Sequence, residues 1–214
     1  ELHGRRIIDY QLEFLATCGI ENVTIIIGHL GNSIREALGS AVSYAEYPGF
    51  SETNNLYTLY HCRHLLDGDC IILFSDLLLA SGAIQKLCEN RNDFALLVDT
   101  SRSLPGTMCF LGDNLGVTDI GNHISPRESK GNFVGVAKFS AHGAVTLKHE
   151  LAAMVDEGGH EQEYYVQALP RLAERGERIT PIEIGLPWLE IDDECDYLAA
   201  LDQNFYLHTD TTFK

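Results

Sequence analysis

The stretch Cys70-Ile71-Ile72-Leu73-Phe74-Ser75-Asp76 is a short apolar run that ends directly in a hydroxyl and a carboxylate. A continuous apolar run of this length predicts an interior strand of a parallel sheet, covered on both faces. In open α/β sheets, ligands bind outside the carboxyl ends of the strands. Asp76 is therefore well placed to hold a divalent cation against phosphate oxygens, although an aspartate here could equally cap the next turn.

Short apolar strands alternate with amphipathic helices on both sides of this stretch. A helix is predicted over residues 55–66, directly before the strand, and another over 161–175. The pattern changes after Asp99, where Gly112-Asp113-Asn114 is a hairpin-like turn signal. We therefore expect an α/β fold with a doubly wound, mostly parallel sheet and a small antiparallel excursion, in a single domain over residues 1–214.

Composition and charge narrow the possible partners. The 31 acidic residues against 15 basic ones give a net charge of −16, which argues against non-specific binding to nucleic acid or to an anionic membrane. A nucleotide ligand is still compatible with this charge, because Mg²⁺ can mediate between carboxylates and phosphates. No apolar stretch approaches the roughly 20 residues that span a bilayer, and the opening residues lack the apolar core of a signal peptide. We expect no membrane segment; the sequence does not indicate an oligomeric state.

The six cysteines include no C-x-x-C pair, and most fall in predicted helices or strands, where a free cysteine behaves as a small buried hydrophobe. This pattern favours a reduced, cytoplasmic setting. His61 and His64 lie three residues apart on a predicted helix, but no convincing set of further ligands completes a zinc site.

Two further segments carry polar groups that suit a binding site. Thr53, Asn54 and Asn55 begin the helix predicted over 55–66, where free backbone N–H groups can bind an anion or a base edge. Ordinary N-capping explains one of these three residues but not obviously all of them. The run Trp188-Leu189-Glu190-Ile191-Asp192-Asp193 is again a strand that leads into acids, and Asp192 or Asp193 should also cap the final helix.

Taken together, these segments resemble the sugar-nucleotidyltransferase-like NTP transferases, and within them the phosphocholine and aminoethylphosphonate cytidylyltransferases. The resemblance covers nearly the whole chain. Its most specific parts are Glu52-Thr53-Asn54-Asn55-Leu56-Tyr57-Thr58-Leu59, the strand ending in Ser75-Asp76, Gly135-Val136-Ala137-Lys138-Phe139, and Gly185-Leu186-Pro187-Trp188-Leu189-Glu190-Ile191-Asp192. It implies a Rossmann-like fold of the nucleotide-diphospho-sugar transferase type.

The resemblance also implies an activity and roles for particular residues. Asp76 and Asp192 would be the catalytic carboxylates that hold Mg²⁺, while Thr53, Asn54, Asn55 and Ser75 would lie near the nucleotide. The acceptor oxygen would attack the α-phosphorus of an NTP, most simply CTP, and pyrophosphate would leave. The acceptor would be a small phosphorylated or phosphonylated alcohol or amine, such as phosphocholine or aminoethylphosphonate.

The acceptor end is where aromatic side chains are expected to enclose a quaternary ammonium group. The candidates for substrate binding are Met108, which stands where relatives suggest an aromatic residue, Tyr165 and Trp188. For Tyr164 and Tyr165, packing in the core of an amphipathic helix is an equally good explanation.

One departure from the family concerns the phosphate-binding loop. The family begins with a strand and a glycine-rich loop, L-A-A-G-x-G-x-R, followed by a Pro-Lys pair, and this chain starts after that point. We therefore expect a domain without its first strand and phosphate loop, a groove or exposed sheet edge in their place, and little or no transferase activity from residues 1–214 alone.

Three alternatives to cytidylyl transfer remain open at this point. A sugar-1-phosphate nucleotidyltransferase would usually carry a Gly-Thr-Ala type segment in place of Thr53-Asn54-Asn55. A glycosyltransferase of the GT-A type would usually show an Asp-x-Asp pair, whereas Ser75-Asp76-Leu77-Leu78 contains a single acid. A decayed or non-catalytic nucleotide-binding domain would account for the missing loop but not for the retention of Asp76 and Asp192.

Overall fold

The computed structural model describes residues 1–113 and 115–206, and these alternate between strands and helices. The helices are α1 (Ile7–Thr17), α2 (Gly31–Leu38), α3 (Asn55–His61), α4 (Gln85–Glu89), α5 (Ala141–Glu157), α6 (Ala168–Glu174) and α7 (Glu194–Leu201). The strands are β1 (Thr24–Ile27), β2 (Ser43–Glu46), β3 (Cys70–Leu73), β4 (Leu77–Leu79), β5 (Phe94–Asp99), β6 (Cys109–Asp113), β7 (Gly116–Gly121), β8 (Gly131–Phe139), β9 (Ile179–Glu183) and β10 (Trp188–Glu190). Short 3₁₀ turns cover Arg63–Leu65 and Tyr165–Gln167.

The main sheet has the strand order β7-β6-β8-β5-β9, and β3 pairs with the C-terminal half of β8, residues 136–139. Strand β8 is antiparallel to β3, β5 and β6, while β5 and β9 are parallel. As a result, β3, β5, β6 and β9 point one way, and β7 and β8 point the other. The predicted α/β class is confirmed, and so is the prediction that most strands of the sheet point the same way. Most hydrogen-bonded neighbours are nevertheless antiparallel, because β8 lies between strands that would otherwise pair in parallel.

Strand β3 is not the interior parallel strand that its apolar run predicted. It pairs antiparallel with β8 on one side, and among the described residues it has no strand partner on the other. Its side chains are partly buried on both faces: Cys70 and Ile72 contact one core cluster, and Ile71 and Leu73 contact another. The apolar run therefore reflects two covered faces. It does not indicate which strand lies beside β3 or in which direction that strand runs. A missing first strand stays a prediction.

Helices cover both faces of the main sheet, as a doubly wound fold requires. On one face α3, α5 and α6 bury leucines against the sheet, including Leu56, Leu147 and Leu169. On the other face, α1 and α4 contribute Phe14 and Leu87 to the second cluster. Within the described ranges, no helix is long and apolar enough to cross a membrane.

Several element boundaries differ from the sequence prediction. The helix predicted over 55–66 ends at His61, and a 3₁₀ turn follows. The helix predicted over 161–175 begins only at Ala168, because the preceding segment binds the start of α3. The predicted hairpin is confirmed as the antiparallel pair β6–β7, although Asn114 of its turn signal lies outside the described residues. Strand β4 was not predicted, since its partner β10 is distant in sequence.

The segment Gly135–Phe139, one of the quoted family motifs, has a structural role. Gly135 has φ +87° and its carbonyl accepts a hydrogen bond of 3.0 Å from the Phe74 N–H. A Cβ at this position would lie 2.8 Å from Leu77 Cδ1, so both conformation and space favour glycine. Lys138 Nζ donates to the carbonyls of Cys88 and Asn90 at the end of α4. This motif thus supports the turn between β3 and β4.

Candidate active site

Asp76 lies in the turn that joins β3 to β4. No helix begins there, so Asp76 is not a helix cap. Its carbonyl accepts a hydrogen bond of 3.0 Å from the Ile191 N–H, which extends the β4–β10 ladder past Leu77 and Glu190. The fully buried side chain of Gln11 on α1 donates from Nε2 to the Phe74 and Leu77 carbonyls, at 3.0 Å each. The turn that presents Asp76 is therefore fixed from two sides.

The β4–β10 ladder brings a second group of acids to Asp76. Asp193 caps α7: its side chain accepts hydrogen bonds from the Cys195 N–H (2.7 Å) and the Asp196 N–H (3.0 Å). Because Asp193 performs the capping, the exposed side chain of Asp192 is not required for it. Helix capping therefore explains Asp193 but not Asp192. The metal-binding role predicted for Asp192 stays a prediction.

Glu190 is a third carboxylate at this site, and the sequence prediction missed it. It is partly buried, and Thr107 Oγ1 donates to its Oε2 at 2.9 Å. Thr107 belongs to the loop before β6, which Asn132 holds by accepting the Leu104 N–H at 2.7 Å. The sequence did contain a partial indication of this role. Glu190 is two residues before Asp192, and residues two apart lie on the same side of an extended segment.

Burial and mutual repulsion act on these carboxylates. Burial raises the pKa of Glu190 to about 7; the Thr107 hydrogen bond opposes this shift, and the charges of Asp76 and Asp192 add to it. Burial also raises the pKa of Asp76. A backbone hydrogen bond lowers this pKa, and the charge of Asp192 raises it further. Like charges that disfavour one another's ionisation mark a place where a cation would be favourable.

The residues present fit a Mg²⁺ ion. Asp76 Oδ1 is buried and has no hydrogen-bond partner among the described residues. Oxygen ligands suit Mg²⁺, which proteins usually bind through one or two carboxylates together with substrate phosphates. In the part of the chain that the structure describes, no group of three or more His, Cys, Asp or Glu side chains is placed so that it could hold a metal ion by itself. A site of this kind would thus need phosphate oxygens to complete it.

The three polar residues at the start of α3 all have protein partners. Asn54 Oδ1 accepts the Asn55 N–H at 2.7 Å, and Asn55 Oδ1 accepts the Tyr165 N–H at 2.8 Å. Thr53 Oγ1 lies 2.6 Å from the Tyr47 hydroxyl. The Asn55 contact ties α3 to the segment before α6, while Asn54 caps α3 and Thr53 contacts the loop before it. Ser75 is exposed beside Asp76. A role near the nucleotide stays a prediction for all four.

The three candidates for acceptor binding lie in the core. Met108, Tyr165 and Trp188 are 8%, 1% and 3% exposed. Trp188 Nε1 donates to Asp99 Oδ2 at 2.8 Å, and the tryptophan lines a cavity of about 430 Å³ that neither Asp76 nor Asp192 borders. The structure therefore does not gather these side chains around the carboxylates. The segment containing Met108 does reach the site, but through its neighbour Thr107.

Tyr165→Phe tests whether the tyrosine is a core residue or a ligand residue. The Tyr165 hydroxyl is buried without a hydrogen-bond partner among the described residues, and its ring packs edge-on against Phe74 at 6.0 Å. Removing an unsatisfied buried hydroxyl should leave the free energy of unfolding within about 0.5 kcal/mol of wild type, or raise it. Denaturant unfolding measures the change.

Tyr10→Phe is the matched control for this experiment. The Tyr10 hydroxyl is also buried but donates to the Leu2 carbonyl at 2.9 Å, so its loss should cost about 1 kcal/mol. If Tyr165→Phe instead weakened acceptor binding at unchanged stability, the hydroxyl would have a ligand role and the core assignment would be wrong.

No protein-family model matches the sequence. The chain is 28% identical over 213 residues to the CMP-5'-(3-aminopropyl)phosphonate synthase of Streptomyces rubellomurinus, a match that covers 92% of this chain and 33% of that protein. The chain thus spans about a third of the length of this relative. It is also 22% identical over 227 residues to the CTP:phosphoglutamine cytidylyltransferase of Campylobacter jejuni, covering 95% of this chain and 90% of that protein.

Solved structures show the same fold. The CTP:phosphocholine cytidylyltransferase of Streptococcus pneumoniae superimposes with a TM-score of 0.77 at 20% identity, covering 94% of this chain and 86% of that one. The inositol-1-phosphate CTP transferase of T. maritima gives a TM-score of 0.76 at 17% identity, covering 97% and 83%. The chain therefore has the nucleotidyltransferase fold and is related in sequence to cytidylyltransferases, which confirms the resemblance seen in its motifs.

Proposed function

We propose that this domain transfers CMP from CTP to a small acceptor that carries a phosphate or phosphonate group. An acceptor oxygen attacks the α-phosphorus of CTP, the bond from that phosphorus to the bridging oxygen breaks, and pyrophosphate leaves. Both curated relatives are named for CMP or CTP chemistry on non-sugar acceptors, a phosphonate and phosphoglutamine. This supports the proposal over sugar-1-phosphate transfer.

The observation that carries the proposal is the convergence of Asp76, Glu190 and Asp192 at one end of the β4–β10 ladder, with Asp76 Oδ1 unsatisfied. Asp76 and Asp192 would hold Mg²⁺, which when bound would neutralise the two anions that must approach one another. Gln11 fixes the turn that carries Asp76, and Asp193 holds the start of α7 next to Asp192. These contacts give the carboxylates a defined placement before any substrate binds.

Glu190 gives the proposal a preference among acceptors. A divalent cation neutralises two of the three carboxylates, so the remaining negative charge favours an acceptor that also carries an ammonium group. Burial and the Thr107 hydrogen bond place Glu190 where its charge is little screened by water. An aminoalkyl phosphonate or phosphocholine has the required pairing of an anionic and a cationic end.

A transfer assay tests the proposed activity. The protein is incubated with CTP, Mg²⁺ and one acceptor at a time: phosphocholine, 2-aminoethylphosphonate, 3-aminopropylphosphonate or glucose 1-phosphate. Phosphorus NMR then follows pyrophosphate and the CMP adduct. A version extended at its N-terminus by a strand and a glycine-rich phosphate loop is assayed in parallel. The amine-bearing acceptors should react, and glucose 1-phosphate should not.

Binding measurements separate this proposal from a non-catalytic domain. Isothermal titration should show a CTP-binding event that requires Mg²⁺ and that Asp76→Asn removes. A chain that binds CTP with Mg²⁺ but never releases pyrophosphate, with or without the added segment, would be a nucleotide-binding domain rather than an enzyme. A chain indifferent to CTP and to every other NTP in both versions would contradict the proposal altogether.

The proposed location is the reducing cytoplasm. The six cysteines are free thiols in the structure, and Cys62 and Cys109 are fully buried. Buried free thiols fit a compartment in which disulfides do not persist.

A further inference from the structure

A basic groove lies on the helical face of the molecule that carries α3 and α5. It is open to solvent and has a volume of about 500 Å³. Its lining consists of three imidazoles, a guanidinium, an ammonium and one small apolar residue: His61, His64, His149, Arg63, Lys148 and Ala152. Among the described residues no carboxylate lines it, although acids outnumber basic residues 31 to 15 in the full sequence. Such a local reversal of charge in an acidic protein points to an anionic ligand.

The fold builds this basic groove from two packed elements. His61 is the last residue of α3, and the 3₁₀ turn that follows supplies Arg63 and His64. From α5, the lining residues are Lys148, His149 and Ala152, of which Lys148 and Ala152 lie one turn apart on the same side of the helix. The pair His61–His64 noticed in the sequence thus gains a third histidine, but in the described residues no metal-binding cluster forms.

The two permanent cations of the groove have no carboxylate partner among the described residues. Six other arginines of the described residues are paired with acids, whereas Arg91, Arg127 and Arg178 are not: the paired ones are Arg5, Arg6, Arg35, Arg102, Arg171 and Arg175. Arg63 is instead held by Tyr60: it donates from Nη1 to the Tyr60 carbonyl at 2.7 Å, and its guanidinium lies 4.0 Å from the ring centroid. A guanidinium fixed in this way keeps its other N–H groups available to an oxyanion.

The basic groove is separate from the carboxylate site. Lys148 lies close to Cys70, at the start of β3, whereas Asp76 follows the end of that strand. The four residues of β3 alone span about 13 Å. The one acid near Cys70, Asp69, is engaged at the start of α5, where its Oδ1 accepts the Ala141 N–H at 2.8 Å. A ligand in the basic groove therefore would not occupy the proposed transfer site.

We infer that the basic groove binds a small polyphosphate anion. Several side chains with N–H donors line an open groove whose volume can hold a di- or triphosphate, and a guanidinium and an ammonium supply fixed charge. A long polyanion such as nucleic acid is disfavoured, because beyond the groove it would meet a surface dominated by carboxylates. The inference does not depend on the proposed transfer activity.

Inorganic tripolyphosphate is the first probe, used without divalent cations so that the carboxylate site repels it. Carbon–proton NMR spectra of the histidine rings should show shifts for His61, His64 and His149, with His29 unmoved. Calorimetry should give about tenfold weaker binding for Lys148→Glu, because one attractive contact becomes repulsive. Arg127→Glu, which reverses the charge of an exposed arginine outside the groove, should bind as wild type does. Circular dichroism confirms that both variants are folded.

A second probe, ATP, identifies the source of the phosphate groups. Tighter binding of ATP than of tripolyphosphate to the same imidazoles would show that a nucleotide is the ligand, and equal binding would show that the phosphate chain alone is recognised. Both outcomes support the inference. If neither probe moves the three imidazole resonances, or if Lys148→Glu binds tripolyphosphate as well as wild type, the inference is wrong.

Discussion

Asp76→Asn should abolish the Mg²⁺-dependent binding of CTP and, at the same time, make the folded chain more stable. The carboxylate is partly buried beside Asp192 and Glu190, and burial raises its pKa, so its charge is unfavourable to the folded state when no cation is present. The amide keeps the shape and removes the charge. A gain in stability together with a loss of function is the signature of a ligand-binding acid.

The size of the functional loss follows from the role proposed for the metal. Cation stabilisation of a transition state is worth several kcal/mol, so transfer should fall by about 10²–10³-fold in a version of the chain that is active. Thermal melts with and without Mg²⁺ and CTP measure stability and binding together.

Asp67→Asn is the matched control, since Asp67 is exposed in the loop before β3 and lies outside the site. It should leave CTP binding and the melting temperature unchanged. Undiminished Mg²⁺–CTP binding by Asp76→Asn would remove the main support for the proposed site.

The sequence predicted Asp76 and Asp192 because each follows an apolar strand, and strand ends are where such folds bind ligands. It could not show that Asp193, rather than Asp192, caps α7, since both positions satisfy the capping rule. Thr107 was missed for a different reason. Its hydrogen bond to Glu190 joins residues 83 positions apart, and no local pattern encodes such a contact.

For the aromatic candidates, residue type alone leaves two roles open. Trp188 and Tyr165 are suited both to a ligand pocket and to a core, and only the structure shows their neighbours. Trp188 donates its indole N–H to Asp99, a buried carboxylate at the end of β5, and it also lines a cavity. Tyr165 contacts Phe74 and the α3 residue Asn55. A role in substrate binding stays a prediction for both.

The fold class was predictable and the strand order was not. Alternating apolar strands and helices require helices on both faces of a sheet, and the structure has them. The position of β8 between β3 and β5 depends on pairing between segments about 40 and 65 residues apart. The length and apolar character of β8 are equally compatible with an edge strand and a central strand of the sheet. Its antiparallel position between β3 and β5 is therefore visible only in the structure.

Glu190→Gln should remove much of the pH dependence of stability between pH 4.5 and 7. The pKa of this carboxyl rises from 4.5 to about 7 on folding, chiefly through burial. Within that window the folded state holds a proton that the unfolded state has released, so stability is full below pH 4.5 and falls as the pH rises toward 7. The shift corresponds to about 3 kcal/mol lost across the window.

Denaturant unfolding at a series of pH values measures this loss. The variant should match wild type near pH 4 and be more stable by about 2–3 kcal/mol near pH 8, because glutamine can still accept the Thr107 hydrogen bond but carries no charge. Glu36→Gln, at an exposed position on α2, should unfold as wild type does at every pH.

Adding Mg²⁺ together with CTP, whose phosphate oxygens would complete the site, extends the same experiment to function. If the ion binds beside Glu190, it stabilises the ionised carboxylate, so the pH dependence of wild type should shrink while that of Glu190→Gln stays unchanged. A wild-type profile that is flat without Mg²⁺ and CTP would show that Glu190 is not destabilised by its surroundings. A profile that Mg²⁺ and CTP together do not alter would place the ion, and with it the reacting phosphates, away from the β4–β10 ladder.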